Sequence, residues 1–527
     1  MMTQKTTLDV FIPEDRRQAL AQSTTLPTRT QGGVMFADVS GFTRLTEIFS
    51  KELGSQRGAE ALTQLFDSIY TELVTAVHSF RGSVIVISGD GITCWFDQDD
   101  GRRAVTCAFI MQRIMAKYET ISMVGGQTVN LGIKISLSVG TAQRLLVGDP
   151  AIQRLEALVG REVDQVVSIH ESLEKGDVAI GMDLAHKFSD GLSVVAVRQT
   201  AEGAQFALVT EKAELTDPNP WPPIPPLEDS VARQWVYRSV YSRIEAEEME
   251  FLTELRQAVP FFVKFTGIDY DHDENAAGKL DQFVRCVQSV LERYEGYLCQ
   301  LTIGGNSTNA FIAFGAPIAH EDNVERALAA ALRLKEVTAE LGFIRPIQIG
   351  LTRGQLWAGA HGGGAARTYS VIGLDVNLAN RLMSHAEAGQ ILVSPHVVDA
   401  AKGFSFLQLD PIRFKGIEKP ITPFLVLGRT KSPTRVENRN RLFGRTTERE
   451  ILTMKLMELT AGKQAETAGV LLIEGEAGIG KSRLLADFQG QAREKGARIL
   501  YGEADPVERG TQFFAFRSIL ESVFDFS

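Results

Sequence analysis

Residues 36–43 read Phe-Ala-Asp-Val-Ser-Gly-Phe-Thr and follow the run Gly-Gly-Val-Met at 32–35. The run predicts a strand that ends in a carboxylate, and the small residues after it predict a turn into a helix. Main-chain N–H groups at such a turn bind phosphate oxygens, and Asp38 is placed to hold a divalent cation that neutralises them. We therefore expect a metal-bound phosphate at this turn.

A second carboxylate, Asp90, lies in the sequence Ser-Gly-Asp-Gly at 88–91, between two strand-like runs. Asp-Gly is a strong hairpin-turn pattern, so Asp90 taken alone is interpreted as a turn residue. Paired with Asp38, it gains a second interpretation. Two carboxylates on neighbouring strand ends can hold two Mg²⁺ ions, one that activates a hydroxyl and one that binds phosphates.

The first two thirds of the chain contain a repeat. Each copy has a strand, an amphipathic helix, a hairpin, a helix, a strand and a glycine turn into a further helix. The glycine turns at Gly160 and Gly373 are 213 residues apart, and the hairpin positions Asp90 and Gly305 are 215 apart. The near-constant offset predicts a duplicated α/β domain whose copies pack about a pseudo-twofold axis.

The second copy lacks the acids of the first. Gly305 stands where the first copy has Asp90, and the strand end that corresponds to Asp38 is predicted at Phe265 or Thr266. No carboxylate occupies any of these positions of the second copy. We therefore expect metal binding in the first copy alone.

The second copy carries Asn377 and Arg381 instead, four residues apart on a predicted helix and so on one face. The amide can orient a sugar, and the guanidinium can meet phosphate charge as it develops. Their counterparts in the first copy are Asp164 and Ser168. Because each copy has what the other lacks, we predict one composite site between the copies and an inactive mirror site.

Composition and linkers set the wider organisation. The net charge is −10 and no basic run occurs, so a nucleic-acid surface is not supported. No apolar run is long enough for a membrane helix, and the start of the chain has no secretory core, so we predict a cytoplasmic protein.

A Pro-rich stretch at 217–226 and a polar stretch at 429–441 mark linkers. The predicted divisions are an N-terminal segment at 1–30, a first domain at 31–210, a Pro-rich linker and helix at 211–254, a second domain at 255–428, a linker at 429–441 and an incomplete third domain at 442–527.

Together, the Phe-Ala-Asp-Val-Ser-Gly-Phe-Thr motif, the Gly-Asp-Gly hairpin and Val-Ile-Gly-x-x-Val-Asn-Leu-Ala-x-Arg-Leu at 371–382 resemble the class III adenylyl and guanylyl cyclase catalytic domain. The resemblance covers residues 30–210 and 255–428 and implies two ferredoxin-like domains in a pseudo-twofold pair. The tandem arrangement is similar to that of soluble adenylyl cyclases. It implies attack of the ribose 3′-hydroxyl on the α-phosphate of ATP, which yields cyclic AMP and pyrophosphate.

The same resemblance implies a role for each site residue. Asp38, Asp90 and the carbonyl of Val39 would hold two Mg²⁺ or Mn²⁺ ions, Asn377 would fix the ribose, and Arg381 would stabilise the transition state. The residues beside the phosphates would be Ser40, Gly41, Phe42 and Thr43.

The positions that would read the base depart from the family's pattern. Asn306 lies in the hairpin where the family places a lysine, Gln300 also stands where relatives often carry lysine, and Ser370 stands where soluble members have threonine. Asn306 and Ser370 are neutral and can form hydrogen bonds with either purine. Three alternatives stay open from the sequence: an adenylate cyclase, a guanylate cyclase, and an inactive pair that senses nucleotide for the third domain.

The third domain contains a P-loop. The pattern G-x-x-x-x-G-K-S at 475–482 follows the apolar run 470–474, which predicts a strand, and precedes a predicted helix. Its loop would cradle the phosphates of Mg-ATP, with a magnesium ligand at its end. The residues concerned are Gly475, Gly478, Gly480, Lys481 and Ser482. The upstream sequence at 442–450 resembles the entry helix of AAA-type and STAND-type signalling ATPases. Only 45 residues follow the P-loop, so we expect a fragment of a longer protein or a domain that does not fold alone.

Overall fold

The computed structural model describes residues 8–41, 45, 48–49, 55–122, 128–245, 254–304, 307–414, 419–430, 444–460, 470–474, 481–502, 504 and 513–524. The chain forms two compact units, Met1–Gly428 and Arg429–Ser527. The first unit is a mixed α/β structure with two large sheets, which confirms the predicted fold class. Within the described residues, no helix is long and apolar enough to cross a membrane.

The first large sheet is built from residues before the Pro-rich stretch. Its order is β2-β3-β1-β6-β8-β10-β9, and β7 pairs with β6. β6 and β8 run parallel, whereas β1 is antiparallel to both of its neighbours. The strands, together with a small β4–β5 pair, are β1 (Arg29–Ser40), β2 (Ser83–Ser88), β3 (Gly91–Asp97), β4 (Ile121–Ser122), β5 (Thr128–Val129), β6 (Gly132–Val147), β7 (Leu155–Val159), β8 (Val178–Gly181), β9 (Leu192–Gln199) and β10 (Gln205–Glu211).

The second sheet repeats this order as β12-β13-β11-β14-β17-β19-β18. β14 and β17 are parallel, like β6 and β8, and the long β6 corresponds to two successive strands, β14 and β15. The repeated order confirms the predicted duplication. Its strands are β11 (Glu254–Phe265), β12 (Tyr297–Gly304), β13 (Ser307–Phe314), β14 (Gln348–Leu351), β15 (Gly354–Gly362), β16 (Arg367–Ile372), β17 (Ile391–Val393), β18 (Phe404–Gln408) and β19 (Phe424–Arg429).

Amphipathic helices bury apolar faces against these sheets. One core cluster joins α2 and α3 to strands β1, β3, β6 and β8, and burial of this apolar surface is the main stabilising contribution. The helices of the first unit are α1 (Glu14–Ala21), α2 (Ser55–Ser79), α3 (Arg102–Ala116), α4 (Arg161–Glu171), α5 (Met182–Lys187), α6 (Asp229–Ala232), α7 (Arg238–Glu245), α8 (Ala276–Tyr294), α9 (Asn323–Ala339), α10 (Leu374–His385) and α11 (Pro395–Ala400), with 3₁₀ turns at Leu8–Phe11 and Arg233–Trp235.

The strand registers correct one expected correspondence between the copies. Asp38 pairs with Lys134 on β6, and the equivalent pair in the second sheet is Lys264 with Gln348. Lys264 is therefore the counterpart of Asp38, instead of Phe265 or Thr266. Counting residues between the copies gives the wrong counterpart because the β12–β13 hairpin is longer than the β2–β3 hairpin. The extra residues change the numbering difference between the copies, but they do not change the strand register.

The connecting segment also differs from its prediction. The sequence predicts a helix over 231–258, but the described residues form α6, a 3₁₀ turn and α7, and β11 already begins at Glu254. Residues 254–258 pair with β15, so sheet hydrogen bonds override the local helical pattern. Upstream, the Pro-rich stretch lies along the first half, where the Trp221 indole Nε1 donates to the Gly82 carbonyl at 2.8 Å.

The N-terminal helix is attached to the first sheet by a buried ion cluster. The guanidinium of Arg144, only 2% exposed, forms salt bridges with Asp15 and with Glu156, the latter at 2.7 Å. Arg16 also contacts Glu156, at 2.8 Å, and the Ser83 hydroxyl donates to Asp15 at 2.8 Å. Each buried charge thus has an opposite partner, as burial of charge requires.

A turn of the second half lies on helix α2 of the first half. A Cβ atom at Gly363 would come within 2.7 Å of the Thr71 backbone, so the close approach requires glycine there. Gly364 N–H donates to the Thr71 hydroxyl at 3.1 Å, and Arg367 forms a 3.2 Å salt bridge with Asp67. These contacts join the helix that supports the Asp90 hairpin to the strand that leads toward Asn377.

The second unit contains three described helices, α12 (Thr446–Thr460), α13 (Lys481–Glu494) and α14 (Phe514–Phe524). The predicted strand at 470–474 is not formed as a strand: Val470 is 97% exposed, and no sheet partner is present among the described residues. A strand needs a hydrogen-bonded neighbour, and an apolar run without one has no ladder to join.

Candidate active site

Asp38 and Asp90 lie side by side at one end of the first sheet. Asp38 is near the end of β1, directly opposite Gly91 on β3. The Val39 N–H donates to the Asp90 main-chain carbonyl at 2.8 Å, which holds the hairpin turn against β1. The Tyr70 hydroxyl, on α2, lies 3.4 Å from the Gly89 carbonyl and supports the same turn.

The two carboxyl groups have opposite electrostatic surroundings. Burial and the neighbouring charge of Asp38 raise the pKa of Asp90 to about 7. Burial opposes ionisation of Asp38 as well, but the neighbouring His170 and the charge of Lys134 outweigh it, so the pKa of Asp38 is lowered. Lys134 Nζ lies 3.3 Å and His170 Nε2 3.6 Å from the same Asp38 oxygen. One carboxylate is thus held ionised beside another whose charge is costly.

This acid pair fits a divalent cation. The part of the chain that the structure describes has no cluster of three or more His, Cys, Asp or Glu side chains arranged for a metal. Mg²⁺, however, takes few protein carboxylates and completes its shell with water and substrate phosphates. A bound cation would also relieve the repulsion that raises the pKa of Asp90. Val39, the third predicted ligand, is buried and pairs with Ile133 on β6.

The predicted phosphate turn is described in part. Ser40 ends β1, and Gly41 follows with φ of +107°, a backbone conformation that favours glycine. A Cβ atom at Gly41 would meet the Asn130 carbonyl at 2.8 Å. Phe42 and Thr43 lie outside the described residues.

A cavity of about 260 Å³ brings the two copies together. The first copy contributes Asp90 with its hairpin turn, and Phe66 from α2. The second copy contributes strands β12 and β13 and the start of α10, including Asn377. The residues from both copies are Phe66, Ser88, Gly89, Asp90, Phe262, Gln300, Thr302, Asn309, Phe311, Val371, Ile372, Gly373, Leu374, Val376, Asn377 and Asn380.

Asn377 and Arg381 both lie on α10, one turn apart. Asn377 lines the cavity, and Arg381 lies on the next turn beyond the lining residues. The Arg381 Nη1 atom is buried and has no hydrogen-bond acceptor among the described residues. A buried guanidinium nitrogen without an acceptor is costly, and an anionic ligand would satisfy it.

The predicted base-reading residues are placed differently. Asn306 lies outside the described residues. Ser370 is buried on β16 opposite Gly359 and does not line the cavity. The cavity wall contains Thr302 and Asn309, which the sequence reasoning missed. A signal was available, because Thr302 is two residues from Gln300 and therefore on the same strand face.

The predicted P-loop residues are described only in part. Lys481 and Ser482 begin α13, as a P-loop helix requires. Gly475, Gly478 and Gly480 lie outside the described residues. Within this unit Arg449 on α12 forms a 2.9 Å salt bridge with Asp487 on α13.

Comparison with known proteins places these features in two families. Residues 262–428 match the family model described as the adenylate and guanylate cyclase catalytic domain, and residues 441–526 match the AAA ATPase domain. Human adenylate cyclase type 10 is 23% identical over 541 residues, which covers 93% of this chain and 32% of the human protein. The protein of the same name from Oryctolagus cuniculus is 23% identical over 535 residues, with the same shares of each chain. The chain thus spans about a third of the length of these relatives.

Solved structures of similar proteins include two from Pseudomonas aeruginosa. The adenylyl cyclase CyaB is 21% identical with a TM-score of 0.31, covering 34% of this chain and 97% of that chain. A class III adenylyl cyclase-like ATP-binding protein is 14% identical with a TM-score of 0.49, covering 72% of this chain and 87% of that chain. From the two family matches, the chain carries a class III nucleotidyl cyclase catalytic domain followed by an AAA-type P-loop ATPase domain, and it is homologous to adenylate cyclase type 10.

Proposed function

We propose that this chain is an adenylate cyclase that converts ATP to 3′,5′-cyclic AMP and pyrophosphate at one composite site between its two halves. The observation that carries the proposal is one cavity that is lined both by Asp90 of the first half and by Asn377 of the second. The cyclase family match and the name of the relatives support the reaction class and the choice of ATP.

The residues divide the chemistry between the halves. Asp38 and Asp90, with the Val39 carbonyl, would hold two Mg²⁺ or Mn²⁺ ions, which when bound neutralise phosphate charge and favour ionisation of the ribose hydroxyl. Ser40, Gly41, Phe42 and Thr43 follow these acids in the chain and are assigned to the phosphates.

The second half positions the sugar and the reacting phosphate. The Asn377 amide orients the ribose so that its 3′-oxygen faces the α-phosphorus. The new O–P bond forms as the bond from that phosphorus to the bridging oxygen breaks, the hydroxyl proton leaves, and pyrophosphate departs. Arg381 places a fixed positive charge where negative charge grows on the phosphoryl oxygens.

The AAA-type domain is assigned a regulatory role. Gly475, Gly478, Gly480, Lys481 and Ser482 would bind Mg-ATP, so that the nucleotide state of this domain adjusts cyclase output. The protein on which the ATPase domain would act is not indicated by any described residue. We also propose that the chain is located in the cytoplasm.

Two other functions are alternatives. Guanylate cyclase activity is the first, because the predicted base-reading residues Asn306 and Ser370 are neutral and can form hydrogen bonds with either purine. The other is a nucleotide-sensing pair without turnover that serves the ATPase domain. A single assay separates them.

The test is cyclic nucleotide production by the full chain with Mg²⁺ or Mn²⁺ and either ATP or GTP. We expect cyclic AMP from ATP, reduced at least about 100-fold in Asp38→Ala because phosphate charge is no longer neutralised. Asp100→Ala is the matched control, since this exposed carboxylate of the first half pairs with Lys187 at 3.0 Å and with Arg102 at 3.3 Å and does not line the cavity. Product from GTP alone would favour the guanylate reaction. Nucleotide binding without any product, in a chain that also carries Lys481→Ala to remove binding by the P-loop, would favour the sensing pair.

A further inference from the structure

The cavity wall opposite Asp90 carries no charge. Among the described residues that line the cavity, Asp90 is the only ionisable side chain. The hairpin β12–β13 supplies three neutral polar groups to this wall, Gln300, Thr302 and Asn309. Phe262 and Phe311 also line the cavity and stack on each other, with centroids 4.5 Å apart and rings 6° from parallel. Aromatic rings beside neutral polar groups suit a purine ring.

One polar atom on this wall lacks a partner. Asn309 Oδ1 is buried and accepts no hydrogen bond within the described part of the chain. Its neighbour across the sheet, Thr302, already accepts a 2.8 Å hydrogen bond from the Gln300 amide. Gln300 and Thr302 therefore bond to each other, whereas Asn309 Oδ1 has no donor among the described residues. A buried acceptor without a donor is costly unless a ligand supplies one.

The chemistry of a carboxamide fits the edge of adenine that carries its amino group. An amide presents an acceptor and a donor side by side, which matches the amino group and the adjacent ring nitrogen of adenine. Guanine presents two acceptors, N7 and O6, at the corresponding edge, and these suit arginine or lysine. The described lining of the cavity has neither of these basic residues.

We propose that Asn309 is the specificity-determining residue of the cavity, with Oδ1 accepting from the adenine 6-amino group and Nδ2 donating to the neighbouring ring nitrogen. The inference rests on the proposed function and deepens it, because it assigns the choice of adenine to a residue outside the predicted base-reading set of Asn306 and Ser370. Asn309 lies on β13, where strand pairing with both β12 and β11 fixes its position.

The test compares ATP with purine riboside triphosphate, which lacks the 6-amino group. All proteins are full chains that also carry Lys481→Ala, so that the P-loop does not contribute nucleotide binding. Both the equilibrium dissociation constant and kcat/KM are measured for each nucleotide. We expect the parent to prefer ATP by about tenfold, the scale of one or two neutral hydrogen bonds. In Asn309→Leu, similar in shape but without polar atoms, ATP should weaken by that factor while purine riboside triphosphate changes little.

Asn380→Leu is the matched control, because Asn380 also lines the cavity but lies on α10 instead of the hairpin. It should leave the ratio between the two nucleotides unchanged. A folded Asn309→Leu protein with the parent's ratio would overturn the assignment while leaving cyclase activity intact. Conversely, a ratio that collapses in binding without any turnover would support Asn309 as the adenine reader and would refute the proposed cyclase function.

Discussion

Arg381→Ala is expected to lower kcat for cyclic nucleotide formation by about 100- to 1,000-fold, the range for loss of a preorganised group at developing charge. KM should change little, because the contact strengthens only as the α-phosphate becomes more negative. The structural basis is the buried Nη1 atom, which has no acceptor among the described residues.

Two further variants separate this role from a general effect of charge. Arg381→Lys retains a positive charge but loses the planar donor geometry, so we expect it to recover only part of the rate. Arg333→Ala removes an exposed arginine of the same half that pairs with Glu336 at 2.9 Å, and its kcat should match the parent's. A large rise in KM with unchanged kcat in Arg381→Ala would show that Arg381 binds the ground state instead.

Arg144→Met is expected to lower the free energy of unfolding of the first unit by about 3–5 kcal/mol, the cost of leaving a buried charge without its partner. Arg144 is almost fully buried between Asp15 and Glu156. Arg16 remains close to Glu156 in the variant, so Asp15 carries most of the penalty. Guanidinium unfolding followed by circular dichroism measures the change.

Arg113→Met is the matched control. Arg113 also bridges two carboxylates, Glu211 and Glu214, but its side chain is half exposed, and we expect a loss of at most about 1 kcal/mol. Equal losses in Arg113→Met and Arg144→Met would argue against burial as the cause.

The same cluster predicts a pH dependence. Burial would raise the pKa of Asp15, but the charge of Arg144 outweighs it and lowers the pKa below the unfolded value. The stabilisation is therefore fully present above the ordinary aspartate pKa and is lost as the pH falls through the folded one. Without Arg144, burial dominates, so acid unfolding of Arg144→Met should begin at a higher pH than in the parent.

The part of the fold that could be predicted from sequence is the part set by local pattern. The strand through Asp38 and the Gly-Asp-Gly hairpin have short-range turn and alternation patterns, and the structure forms both elements, with the strand continuing to Ser40. The duplication could be recognised because the glycine turns of the two copies, and likewise their hairpins, are separated by nearly the same number of residues. Sequence offset could not supply the strand register, which is why Lys264 was missed as the counterpart of Asp38.

The predictions that were wrong or missing concern residues whose contacts are made with distant parts of the sequence. Residues 254–258 have a helical pattern, yet they pair with β15, about 100 residues later. Asn309 was missed because the cavity that it lines is completed by Asp90 and Asn377, each on an element that is far away in the chain. Periodicity assigns a residue to one face of a strand, but the opposing element decides what that face binds.

The internal duplication provides the most direct test of a single composite site. Asn377 has Asp164 as its counterpart in the first half, so Asn377→Ala and Asp164→Ala make equivalent truncations at the two pseudo-equivalent positions. Cyclic AMP production by the two full-length variants is the measurement. We predict a loss of at least about 100-fold in Asn377→Ala, because the ribose is no longer oriented, and near-parental activity in Asp164→Ala. Equal losses in two folded variants, or full activity in Asn377→Ala, would contradict the account.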